Sequence, residues 1–152
     1  MSTSTVIVLA VLLAALLAYL LFVARGREIY VERACQGAQW RTQFPDASKD
    51  DIRSFLRFFS SAFAISRKHF LLVSPQDELL AIYRARYPSR ADPDALEFET
   101  LAKDLSKRYG ISLERVWHDH FTVGELFSLV VSAQQGAPVD AKTASKFRRG
   151  RA

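Results

Sequence analysis

The chain has 152 residues, 49% hydrophobic and 24% charged, with one cysteine, Cys35. This length leaves room for one domain beside any membrane segment, and a single cysteine excludes an intrachain disulfide and a cysteine-rich metal site. The net charge of +5 sits in the flanks, since residues 25–45 hold four Arg against two Glu and residues 135–152 hold five Lys/Arg against one Asp, while residues 46–134 nearly balance; the basic partner expected is an anionic membrane surface rather than nucleic acid.

Residues 5–24, TVIVLAVLLAALLAYLLFVA, contain no charge, proline or glycine. At 1.5 Å per residue such a segment spans ~30 Å, the thickness of the hydrocarbon layer, so a single transmembrane helix is expected within residues 1–24. A cleavable signal peptide fits less well: MSTST lacks Lys and Arg, the apolar run is too long, and no A-x-A site closes it. Arg25, Arg27, Arg33 and Arg41 follow the segment and no charged side chain precedes it. The positive-inside tendency then places the amino terminus outside and the remainder in the cytoplasm, at a bacterial inner membrane.

Residues 25–45 read as a juxtamembrane connector, with Ile29, Tyr30, Ala34 and Ala38 prolonging the helix and Trp40 and Phe44 packing on lipid or on the domain. Pro45 stops it. A helical domain is expected over residues 46–134. Ser48 with Asp51 is a capping start, and Ile52, Phe55, Leu56, Phe59 and Phe63 follow on one helical face, widened by Phe58. The apolar run Phe70, Leu71, Leu72 and Val73 predicts a connector folded back over the core. Ser74-Pro75-Gln76-Asp77 predicts the start of a short helix that ends before Pro88. Pro93 and Asp94 open the longest helix, lined by Leu96, Phe98, Leu101, Ala102, Leu105 and Tyr109 and stopped by Gly110. A connector with a possible turn of helix leads to Thr122 and Glu125, a capping box for a last helix whose Val123, Leu126, Phe127, Val130 and Val131 face inward. From Gln134 the periodicity fails, and residues 135–152 read as a basic disordered tail. The expected fold is all-α: a transmembrane helix, then about four helices.

The segments DALEFETLAKDLSKRYGISL and TVGELFSLV resemble the acyl carrier proteins of fatty-acid and polyketide synthesis. Asp94 and Leu96 match the first and third positions of the family's D-S-L motif, Glu97 and Glu99 its acidic helix start, and Leu101, Leu105, Tyr109 and Leu113 its apolar positions, with Thr122-Val123 opening the final helix. The resemblance covers roughly residues 48–132 and implies a carrier-like bundle. It also implies that Ala95 stands where the family has the serine that bears phosphopantetheine. Alanine has no oxygen nucleophile, so this position cannot hold the arm. Lys103, Lys107 and Arg108 interrupt the acidic face by which carriers meet their enzymes.

Catalytic motifs are missing. His118, Asp119 and His120 lack a further ligand at metal-binding spacing, and no HExxH, P-loop, G-x-S-x-G or dinucleotide turn occurs. Ser66, Arg67, Lys68 and His69 form a polar cluster without a partner motif. No cofactor is implied and no enzyme is expected. The expected function is a membrane-anchored interaction domain, an accessory in a bacterial lipid, polyketide or envelope pathway, with Asp94, Leu96, Glu97 and Phe98 as its protein-binding surface and Phe98 open to solvent. Arg25, Arg27, Lys146, Arg148, Arg149 and Arg151 would face anionic lipid. Two alternatives stay open: an acyl carrier with an atypical attachment site, and a structural subunit whose Ala10, Ala14, Ala15 and Ala18 pack on another membrane helix.

Overall fold

Local signals at the helix ends set most of the architecture. In the computed structural model, which describes residues 11–17, 30, 32–86 and 96–136, the side chain of Ser48 accepts the backbone N–H of Asp51 at 3.0 Å. Thr122 and Glu125 close a reciprocal capping box: the Thr122 N–H donates to the Glu125 carboxylate at 2.8 Å, and the Glu125 N–H donates to the Thr122 hydroxyl at 3.2 Å. Gly110 takes φ +67°, which a residue without Cβ adopts freely, and its N–H returns to the Ser106 carbonyl at 3.0 Å. Between these signals run α1 (Gly37–Gln43), α2 (Lys49–Ala62), a 3-10 turn (Phe70–Leu72), α3 (Leu79–Arg86), α4 (Leu96–Tyr109), α5 (Leu113–Val116) and α6 (Val123–Gln134). The described residues hold no strand beyond one isolated antiparallel bridge between Glu78 and Thr122. The class is all-α, as expected.

The apolar faces read from the spacing are inside. Ile52, Phe55, Leu56, Phe58, Phe59 and Phe63 of α2 are buried, as are Leu101 and Leu105 of α4 and Val123, Leu126, Phe127 and Val130 of α6. Helix α4 packs against α2, α5 and α6. The 3-10 turn folds back on α2, and Val73 after it is fully buried.

Three expectations need correction. The segment expected as a connector belongs to the body: residues 33–36 are not helical, and α1 then carries Trp40 into the core at 1% exposure. The Trp40 indole N–H donates to the Val73 carbonyl at 2.8 Å, and its ring meets Phe44, Phe55 and Phe127 at centroid distances of 5.6, 6.1 and 5.5 Å. The domain boundary therefore lies upstream of residue 46, and the bundle has more than four helices. Second, α3 starts at Leu79 rather than within Ser74-Pro75-Gln76-Asp77, because the Leu79 N–H is taken by the Phe121 carbonyl at 2.9 Å and the Asp77 carbonyl by the Val123 N–H at 2.9 Å. Third, Phe98 is not open to solvent. It is half-buried, its ring 5.4 Å from Phe63, 5.2 Å from Tyr83 and 5.1 Å from Trp117.

Of the segment expected to cross a bilayer, residues 11–17 are described; they are helical, with Val11, Leu12, Leu13, Leu16 and Leu17 exposed. Among the described residues no helix is long and apolar enough to cross a membrane.

Candidate functional site

The surface expected to meet a protein partner begins at α4. Asp94 and Ala95 lie outside the described residues, as do Arg25, Arg27, Lys146, Arg148, Arg149 and Arg151. The three positions that are described diverge. Leu96 points outward at 57% exposure, whereas Glu97 is buried at 8% and Phe98 sits in the aromatic cluster of Phe63, Tyr83 and Trp117. Helical spacing puts Glu99 and Lys103 on the same outward stripe as Leu96, and both are exposed. A partner approaching here meets one aliphatic side chain, one carboxylate and one ammonium.

In the body that starts at Tyr30, Leu96 is the exposed large hydrophobic side chain among the described residues; the others belong to residues 11–17. Exposure on the order of half a leucine side chain leaves ~1–2 kcal/mol of apolar burial unused, enough for about tenfold in affinity.

The histidines around Asp119 act as clasps. His120 Nδ1 lies 3.1 Å from the Glu78 carboxylate, joining the approach to α3 to the loop before α6. His118 Nε2 lies 3.6 Å from Glu125, whose carboxylate already closes the capping box. Among the described residues no group of three or more His, Cys, Asp or Glu could hold a metal ion.

Two clusters were not singled out by the sequence. One centres on Asp77, whose carboxylate accepts from Arg33 Nη1 at 2.7 and 2.8 Å, from the Tyr30 hydroxyl at 3.2 Å and from the Ser74 N–H at 2.8 Å. Tyr30 is buried there. Burial above all, then the Asp77 charge and hydrogen bond, push its phenol well above the ordinary tyrosine range, against a lowering influence from Arg33. The other is a groove of about 980 Å³ between α2 and α4, lined by Arg57, Arg67 and Arg108 among others. Arg57 and Arg108 stand on different helices far apart in the chain, so no spacing rule joins them.

No family model, no curated protein and no solved structure matches the chain.

Proposed function

We propose that this chain is a membrane-anchored, non-enzymatic interaction module. Its helical body resembles an acyl carrier protein without the attachment serine, and it offers the start of α4 to a protein partner in a bacterial lipid, polyketide or envelope pathway. Residues 5–24 are the anchor, with the body on the cytoplasmic side of the inner membrane and the basic residues of both flanks on anionic lipid. The observation that supports the reading most is Leu96, held outward by a helix whose other large apolar side chains are buried or half-buried. Ala95, next to it, supplies no oxygen for a prosthetic arm.

Glu97 and Phe98 belong to the packed interior, so substituting them would damage the body instead of probing its surface. The test places a photo-crosslinking amino acid at Leu96 of the full chain in native membranes. A discrete protein adduct is expected at Leu96, reduced about tenfold by Glu99→Lys and missing when the probe stands at exposed Asp46. Equal labelling at both positions would remove the surface from consideration. Intact mass after co-expression with a phosphopantetheinyl transferase should equal that of the unmodified chain; the added mass of an arm would make the protein a carrier.

A further inference from the structure

We propose that the groove between α2 and the second half of α4 binds a phosphate group borne on a short apolar stem. This site is separate from the surface at the start of α4 and stands or falls independently of it.

Three guanidinium groups line the groove, and among the described residues no carboxylate forms an ion pair with any of them. Two are held by aromatic rings instead. Arg57 lies 5.5 Å from the ring centre of Phe70, and Arg108 lies 5.2 Å from that of Phe58. A guanidinium stacked on a ring is fixed in place while its in-plane N–H donors stay free, and that fork fits phosphate oxygens. Asp104 is the one lining carboxylate, which leaves the lining a formal +2. The C-terminal ends of α2 and α4 also reach this groove, each adding about half a negative elementary charge. The balance remains positive. The end of α2 is further muted because the Ile65 N–H takes the Ser60 carbonyl at 2.8 Å and the Ala64 N–H takes the Ser61 carbonyl at 3.3 Å.

Phe58, Phe70 and Ile65 add apolar wall beside the cations, which is why the ligand carries a stem.

The full chain in dodecyl maltoside micelles, which contain no phosphate, is titrated with butyl phosphate and with inorganic phosphate. Saturable binding of butyl phosphate is expected, several-fold weaker for inorganic phosphate. Arg57→Ala and Arg108→Ala should each weaken it by about tenfold or more. Lys49→Ala, exposed at the start of α2 and outside the groove, should leave it unchanged. Repeating the titration in phosphatidylglycerol nanodiscs identifies the source. Loss of butyl phosphate binding there means that the bilayer supplies the phosphate, and retained binding means a soluble phosphate ester. Absence of saturable binding in micelles, or binding indifferent to Arg57→Ala and Arg108→Ala, overturns the proposal.

Discussion

Tyr30 joins the start of the body to the loop before α3, since its buried hydroxyl donates to Asp77 at 3.2 Å. Only the neutral phenol can make that bond without setting a second negative charge against the carboxylate. Burial and Asp77 accordingly raise the Tyr30 pKa in the folded state. Folding favours the protonated form, so this contribution is complete below the unfolded phenol value of about 10 and is lost as the pH climbs above it. The melting temperature should fall more steeply above about pH 10 in the native chain than in Tyr30→Phe. At neutral pH that variant should be less stable by ~1 kcal/mol, the worth of one hydrogen bond. Parallel melting-temperature profiles for the two chains between about pH 8 and 11.5 would mean that Tyr30 does not set the alkaline limb.

Helix α6 is fixed from outside by the loop before α3. The Gly124 N–H donates to the Pro75 carbonyl at 2.9 Å, and a Cβ added at Gly124 would lie 2.8 Å from that oxygen and 3.0 Å from Gln43 Nε2. Alanine would gain up to ~1 kcal/mol of helix propensity, but the contact on Pro75 is with backbone and cannot swing aside. Gly124→Ala should therefore lower the denaturant midpoint by a net ~1–3 kcal/mol of stability, with the slope unchanged. Gly37→Ala in α1, where the nearest heavy atom to the added Cβ would be Cys35 Sγ at 3.6 Å, should be neutral or stabilising. Equal behaviour of the two variants would deny the close approach. The contrast between local and distant partners also explains what could be read in the chain. Ser48, Gly110, Thr122 and Glu125 act on neighbours within a few residues, so the start of α2, the end of α4 and the start of α6 were legible. Helix α1 was not, because Trp40 and Phe44 show the same apolar spacing whether they face lipid or Phe127, their ring neighbour at 5.5 and 4.9 Å. The expectation of a Phe98 open to solvent misjudged the spacing: three and seven residues before Leu101 and Leu105, it shares their face, and Tyr83 and Trp117 pack against it. Leu96 counts with the apolar lining of α4 in the sequence and does not read as outward, and Glu97, four and eight residues before Leu101 and Leu105, shares their buried face although it reads as surface.

The position of the body relative to a bilayer follows from where the chain first becomes tied. With residues 5–24 as the proposed anchor, a connector running to residue 45 would let the domain roam. The clip at Asp77 shortens it, because Tyr30 and Arg33 are already held there. Residues 25–29 alone then link anchor to body, and at no more than ~3.6 Å per residue they reach roughly 20 Å. A body so tethered stays within a short distance of the headgroups, and Arg25 and Arg27 lie in the tether itself. Cys35 is the chain's single cysteine and is exposed, so a fluorophore can be placed there without altering the sequence. In vesicles whose lipids carry an energy acceptor, that label should show strong transfer. Inserting about twenty Gly/Ser residues after Arg27 adds a coil of roughly 25 Å root-mean-square length and should reduce the transfer sharply. Arg33→Ala, which removes the ion pair of 2.7 Å with Asp77, should give a smaller reduction in the same direction. Transfer that ignores the insertion would detach the body from the membrane surface, and a labelled chain recovered without vesicles would remove the anchor as well.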